Sequence, residues 1–275
     1  MKSLKLILFF FLGLVIQTSW SQRNLTLKPE SKYEVISEME TNTTMSMMGQ
    51  DMDMKQEQNS TSILEITAEE EDLYNFTVEV VAITAKISQM GQEESYDSAD
   101  EESQKGPLGV AYNDRLNDKK HFKISKQGEL INPEEIEEEI AGEAFGELQQ
   151  YFSFFIPLPD DIAVGKTWTD NQTVETDELN LKSDKTYTVI SIDGDLITLG
   201  LKGTINMRQN MVNEGATVKT NLRGTTSGET IVDKANNIIK SDHSFTQFEG
   251  NTQASGMDIP ISMKTTVKNS VKEIK

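Results

Sequence analysis

Few side chains in this sequence have types and spacing that could do chemistry. Met45, Met47, Met52 and Met54 alternate with polar residues on either side of Gly49-Gln50. Thioethers are soft ligands suited to copper(I), and exported copper proteins use them because they need no reduced thiol. The chain contains no cysteine. Methionine also fills irregular apolar space, and no histidine lies near these four to complete a site. The chain has two histidines, His121 and His243. Ser241-Asp242-His243-Ser244 has the residue types of a hydrolytic triad, but successive residues of a strand point to opposite faces. A Gly-x-Ser-x-Gly elbow is missing, as is a phosphate-cradling glycine loop. Asp160-Asp161 and Asp193-Gly194-Asp195 lack the ordered ligand spacing of a calcium loop. Glu143 and Glu147 fall one helical turn apart without the histidines that a metal helix needs, so a solvated acidic face accounts for them. No cofactor motif emerges. A non-enzyme is the reading that follows, with a hydrolase built on two distant carboxylates as the alternative.

The elements that must position these residues are mostly strands. With Gly49-Gln50 as a two-residue hairpin loop, opposing residues sum to 99, so Tyr33 faces Ile66, Val35 faces Leu64, Met45 faces Met54 and Met47 faces Met52. One face then collects the apolar residues and the methionines, and the other collects Glu34, Glu38, Glu40, Asp51, Asp53, Glu57 and Glu65. Ile36 and Ile63 meet on that charged side. The middle of the apolar face is polar: Thr41, Thr43, Gln56, Gln58, Ser60 and Ser62. Such a face is either a concave surface open to water or an amphipathic ligand, or a hairpin whose distal half projects into solvent. The projection is the expectation adopted here.

A long strand follows from Leu73 to Ile87, after an exposed acidic turn at Glu69-Glu70-Glu71-Asp72. Tyr74, Phe76, Val78 and Val80 share one parity, whereas Val81, Ile83, Ala85 and Ile87 share the other. That change of phase predicts a β-bulge near Val80-Val81. Met90-Gly91-Gln92 makes a turn, residues 98–107 read as an exposed loop, and 108–117 carry no clear pattern. His121 to Ile131 reads as a hairpin turning at Lys126-Gln127-Gly128-Glu129. Later, Asp193-Gly194 is a type I′ signal that would set Ile190 against Ile197 and Thr188 against Leu199. Runs at 216–232, 237–248 and 259–272 continue the antiparallel series, with turns near 233–236 and from Gly250 to Gly256. Pro260 favours an edge position for the last strand.

One stretch has the other period. Asn132 can N-cap, Pro133 fits the first helical position and four glutamates follow. Ile136, Ile140, Ala144, Phe145, Leu148, Phe152 and Phe155 then form a stripe at three-and-four spacing. The expected architecture is therefore mainly β: a curved antiparallel sheet or open barrel of about ten strands, with one main helix over about 133–155 covering a face. Residues 22–275 form a single β-rich domain, in which two strand blocks (22–131 and 165–275) are joined by the helix (132–155).

Composition bounds the rest. Lys2 and Lys5, the apolar run Leu6 to Ile16 and Ser19-Trp20-Ser21 have the form of a signal peptide over 1–21, too short to span a bilayer at about 20 residues. No second such run follows, so no transmembrane segment is expected in the mature chain. Without cysteine the chain is neither a lipoprotein nor disulfide-stapled. Lys and Arg number 26 against 45 Asp and Glu, and losing Lys2 and Lys5 leaves 24 − 45 = −21. Nucleic acid and anionic bilayers would be repelled.

Phe122-Lys123-Ile124-Ser125, Gly128-Glu129-Leu130-Ile131, the helix, Ile156-Pro157-Leu158-Pro159 and Val164-Gly165-Lys166-Thr167-Trp168, with Tyr96-Asp97-Ser98 before them, resemble a family of secreted Bacteroidota proteins of unknown function. Gln22 after the cleavage point and Asp97-Ser98-Ala99, which is similar to an O-glycosylation acceptor of that phylum, agree with it. The resemblance implies an envelope β-protein, similar in shape to the open barrels of periplasmic lipoprotein carriers, and it carries no catalytic residues. The expectation is an exported protein, periplasmic or at the cell surface, that binds a lipid or other apolar ligand or an envelope partner. Phe145, Leu148, Phe152, Phe155 and Trp168 are the candidate ligand surface. Copper(I) at Met45, Met47, Met52 and Met54 is the alternative.

Overall fold

The computed structural model describes residues 23–47, 49–70, 72–131, 154–175, 179–213, 216–254 and 256–275. Its strands are β1 (Arg23–Asn24), β2 (Ser31–Met47), β3 (Gln50–Glu70), β4 (Leu73–Gln89), β5 (Gln92–Asp97), β6 (Lys119–Ser125) and β7 (Leu130–Ile131) in the first part. The second part holds β8 (Leu158–Pro159), β9 (Thr167–Glu175), β10 (Leu179–Asp193), β11 (Leu196–Asn213), β12 (Ala216–Asp233), β13 (Ile239–Ala254) and β14 (Met257–Ile274). One antiparallel sheet runs β7-β6-β4-β3-β2-β14-β13-β12-β11-β10-β9, with β5 added beside β4. β1 and β8 pair separately. The sheet is curved and open, and its ends are β7 and β9. The two strand blocks are thus halves of one sheet, joined where β14 lies beside β2.

Alternation decides which face is inside. Tyr33 and Val35 on β2, Leu64 and Ile66 on β3, and Phe76 and Val78 on β4 are all almost fully buried. Their neighbours in sequence, such as Glu34 and Glu65, lie on the opposite face, which is more open to solvent. Each large inward side chain contributes about 1.5–3 kcal/mol by leaving water, and β-branched and aromatic residues suit this pleated, half-covered surface. Among the described residues, three apolar clusters result. The largest includes Leu25, Tyr33, Leu64, Phe76, Phe122 and Ile238. The second gathers Ile156, Leu158, Tyr187, Leu199 and Val232. The third has Ile83, Ala85, Tyr96 and Tyr112.

The bulge in β4 is where the change of phase put it. Thr61 pairs with Ala82 and Ser62 with Val80, so Val81 has no partner. Its side chain is exposed. The first hairpin differs from expectation by two residues: Met47 pairs with Gln50, Met45 with Met52 and Tyr33 with Leu64. The turn has Gly49 at φ +79, a left-handed conformation that glycine alone adopts freely. A slip of two preserves every face, so the sorting of side chains survives the wrong register. It does dissolve the expected Ile36–Ile63 meeting, since Ile36 faces Thr61 and Ile63 faces Glu34.

Other departures have local causes. Asp193 pairs with Leu196 and Ile192 with Ile197, so Ile190 is left out as a bulge and exposed rather than facing Ile197. Leu199 faces Val189 and not Thr188. Pro260 does not mark an edge strand, because β14 lies inside the sheet. It pairs with Asn251 just beyond Ile261, where the ladder to β2 begins, and so its missing N–H costs nothing on that side. Gly250 lies within β13, opposite Leu222 and Ile261, and the turn itself is at Gly256. Residues 98–117 are not plain loop: α1 (Glu101–Gln104) and α2 (Gly109–Tyr112), followed by a 3-10 turn (Asn113–Arg115), pack Tyr112 against Tyr96. The body of the expected helix, residues 132–153, lies outside the described residues. Its last two positions do not continue a helix: Phe154 O accepts from Ile239 N and Phe155 bridges to Ile238. Pro157, two residues on, disfavours helical backbone at the residue before it.

Candidate functional site

The polar middle of the first hairpin belongs to a belt that crosses the sheet. Asp170 on β9 pairs with Lys185 on β10, and Lys185 with Gly203 on β11. The row continues through Thr226, Thr246 and Thr265 to Thr41 and Gln56. All have the parity of the buried core residues in their strands. A second row runs from Thr230 through Asp242, Asn269 and Ser37 to Ser60. Small hydroxyl side chains satisfy one another across strands: Thr246 Oγ1 donates to Thr226 Oγ1 at 3.1 Å, and Thr41 and Thr265 hydroxyls are 3.1 Å apart. Such cross-strand threonine pairs stabilise a ladder by a few tenths of a kcal/mol, about 0.2–1.

This overturns the projecting-hairpin expectation. Thr41, Thr43, Gln58, Ser60 and Ser62 are all buried, at 8, 6, 6, 6 and 2% exposure. Residues at that depth belong to the interior of the curved sheet, and the belt is flanked by apolar side chains on both sides along the strands. Toward one end come Val35, Val232, Ile197 and Val271; toward the other come Leu181, Met207, Leu222 and Phe248. The concave face is therefore amphipathic along its length.

Charge inside the belt is sparse and strongly shaped by burial. Lys185 is buried, and removal from water pulls its ammonium below the ordinary lysine range, against the attraction of Asp170 and then Asp242. Burial likewise pushes the Asp242 carboxyl above its ordinary range. Hydrogen bonds from Thr230 Oγ1 at 2.6 Å and Ser244 Oγ at 3.1 Å oppose that, because they favour the carboxylate. Among the described residues, four side-chain atoms are buried without a hydrogen-bond partner: Thr77 Oγ1, Trp168 Nε1, Ser183 Oγ and Asn269 Oδ1. Three of these belong to inward-facing positions of the belt or its border.

The expected site residues are only partly brought together. Phe145, Leu148 and Phe152 lie outside the described residues. Phe155 packs edge-on against Phe76, with ring centroids 5.2 Å apart, beside the largest cluster. Trp168 instead stacks on Tyr187 at 5.5 Å, against the second cluster. Met47, Met52 and Met54 line an open depression of about 810 Å3 at the hairpin tips, together with Met90, Asp51 and Asp53. Met45 faces Met52 directly, but Met54 faces Thr43 and Met47 faces Gln50, so the two expected methionine pairs become one. The triad-like residues separate as alternation demands: Asp242 turns inward and His243 is exposed. Asp161 is engaged by Lys166 at 2.6 Å in an exposed loop. Ser98 uses its hydroxyl to accept from Ile83 N at 3.0 Å.

Lys185 and Asn269 were missed in the sequence, and Asp242 stood out only as a neighbour of His243 in a triad-like run. The available signal was polar residues at the apolar parity of the later strands, the same signal that marked Thr41 and Gln58 in the first hairpin.

A family model described as "Family of unknown function (DUF6263)" matches residues 134–239. No curated protein matches the chain. Among solved structures, one described as "Lipid-protein interactions in lipovitellin" aligns with a TM-score of 0.52 at 11% identity, over 90% of this chain and 25% of that one. The chain thus spans about a quarter of that protein's length, and the likeness is one of fold. OccK7 of Pseudomonas aeruginosa aligns over 89% of this chain and 100% of its own, with a TM-score of 0.27 at 5% identity. An outer-membrane channel of Pseudomonas putida F1 gives 0.27 at 7% identity, over 90% and 98%. Scores at that level establish no common fold. Among the described residues, no helix is long and apolar enough to cross a membrane.

Proposed function

We propose that this protein is a non-enzymatic binding protein of the cell envelope, exported by its leader, whose concave sheet face holds an amphipathic ligand of the lipid class. The observation that carries the reading is the belt: buried polar side chains, some without partners among the described residues, set between apolar surfaces on the inside of an open curved sheet. A sealed core would replace such groups by packed apolar side chains, because a buried polar atom without a partner is costly. A cavity for a molecule with both apolar and polar parts needs this pattern. The fold likeness to lipovitellin, a structure described by its lipid–protein interactions, supports a sheet of this shape as a lipid-holding surface.

Native mass spectrometry of the protein purified from its own source tests the proposal. The expected result is a bound mass in the lipid range that organic extraction removes. A bare chain that also takes up no acyl ligand on titration would refute it. The methionines give copper(I) a second reading, favoured by the depression that Met47, Met52, Met54 and Met90 share. A stoichiometric copper mass in the same spectrum would support that reading, and its absence after copper(I) addition would remove it.

A further inference from the structure

The interior belt has two chemically different walls. On β9 and β10, Trp168, Lys185 and Ser183 all take the inward parity, and Lys185 and Ser183 are two residues apart on one face. Each of them is a hydrogen-bond donor. Trp168 Nε1 and Ser183 Oγ are buried without a partner among the described residues. Lys185 is 8% exposed and, among the described residues, has no hydrogen bond or ion pair, only the more distant charges of Asp170 and Asp242. On β13 and β14, Asp242 and Asn269 are cross-strand partners and offer acceptors. Asn269 Oδ1 is buried without a partner among the described residues. The Asp242 carboxylate is held in place by Thr230 and Ser244. Although β11 and β12 lie between the two walls in the sheet, Lys185 and Asp242 sense each other's charge. Both side chains have the inward parity of their strands, so the curved sheet turns both toward the same interior.

A simple anion fits this arrangement poorly, since the charges of Asp170 and Asp242 would both repel it. A simple cation fits poorly too, since it would leave the donors on β9 and β10 unanswered. Building on the binding reading above, we infer that the two walls form the head-group subsite for a dipolar phospholipid, taking its phosphate at Lys185, Ser183 and Trp168 and its primary ammonium at Asp242 and Asn269. Such a head answers every orphaned atom of the belt at once. It also fits the state of Asp242, whose carboxyl burial keeps prone to protonation: an arriving ammonium restores the carboxylate. The acyl chains then lie along the apolar side chains that flank the belt.

The chain has two tryptophans, so Trp20→Phe in protein that retains residue 20 leaves Trp168 as the only indole, and its emission reports the subsite directly. Short-chain phosphatidylethanolamine, phosphatidylglycerol and diacylglycerol of one acyl length are titrated below their micelle concentrations. Phosphatidylethanolamine is expected to bind about tenfold or more tightly than the other two, in keeping with two charge-assisted contacts that they cannot both make. Lys185→Met and Asp242→Asn should each erase that preference while leaving diacylglycerol binding intact. Equal binding of all three, or a preference that survives both substitutions, overturns the head-group assignment and leaves the carrier reading standing. If none of the three binds, the carrier reading fails as well.

Discussion

Lys185→Met tests whether the central ammonium is as isolated as the geometry makes it. The side chain is 8% exposed, and no carboxylate among the described residues is within ion-pair reach. Taking an ammonium out of water costs several kcal/mol, which Asp170 and Asp242 offset only in part at their greater distance. Methionine keeps the length of the side chain and removes the charge, and replacements of this kind run from neutral to about 1–4 kcal/mol stabilising. We expect about 1–3 kcal/mol at pH 7, or about 2–10 °C in Tm for a chain of this size. The pH dependence fixes the cause. Because the folded pKa of Lys185 lies below its unfolded value near 10.4, wild-type stability from this group is intact above about pH 10.4 and lost as pH falls through the folded pKa. The advantage of the variant should therefore be greatest at neutral pH and shrink toward pH 10. Ligand-free protein followed by circular dichroism through a denaturant series at several pH values measures it. A Lys185→Met protein destabilised by about 2 kcal/mol or more at pH 7 would mean that Lys185 has a strong partner, and the isolated-donor argument would fall.

Asp242→Asn should show the mirrored behaviour. Its folded pKa is raised, so wild-type stability from this group is full below about pH 3.9 and declines as pH rises through the folded pKa; the variant should lack that slope. An unchanged slope would place the titrating group elsewhere. Asn237 has φ 55 and ties two segments, accepting from Thr26 N at 2.8 Å and donating to Ile156 O at 3.2 Å. Asn237→Ala should cost about 2–4 kcal/mol in denaturant melts, and Asn237→Gly about 1 kcal/mol less, because glycine relieves the backbone but not the lost bonds. Equal losses would show that the backbone conformation contributes nothing. Replacing Met45, Met47, Met52 and Met54 together by leucine should leave the fold and acyl-ligand binding within about 1 kcal/mol of wild type. Loss of a copper(I) site by isothermal titration in that variant would instead give the methionines a metal role.

The faces of the strands were readable because burial imposes a period of two, and the shift of parity at Val80-Val81 gave away a bulge from four apolar residues on either side. Registers were less readable. Met48-Gly49-Gln50 allows glycine to occupy either position of a two-residue loop, and both choices sort side chains onto the same faces. At Ile190 the apolar parity also shifts, from Tyr187 and Val189 to Ile190 and Ile192, but over too few residues to outweigh the register set from the Asp193-Gly194 turn. The neighbour of β2 was not readable at all, since its pairing with β14 depends on nothing local to either strand. The site suffered from the same limit. Thr41, Gln58 and Ser60 stood out as polar residues at core parity, but they looked like a solvent-exposed tip until strands from the far end of the chain closed the other half of the belt over the same interior. Lys185 and Asp242 gained their meaning only from sharing the interior of the folded sheet.

The seam between β2 and β14 joins the first long strand to the last, and the hydroxyls of Thr41 and Thr265 meet there across 224 residues of sequence. Every other long ladder joins strands adjacent in sequence or nearly so. Two hairpin series can consequently form early and independently, each paying little loop entropy, but the interior between them does not exist until the C-terminal strand is present. A chain emerging from N- to C-terminus would hold β2 as an unpaired edge for nearly the whole of its synthesis or translocation. Closing the seam then completes the sheet and its concave interior in a single late step. Pulsed hydrogen exchange during refolding should find the amides of β2 that face β14 protected last, and earlier protection there would show that the halves do not form first.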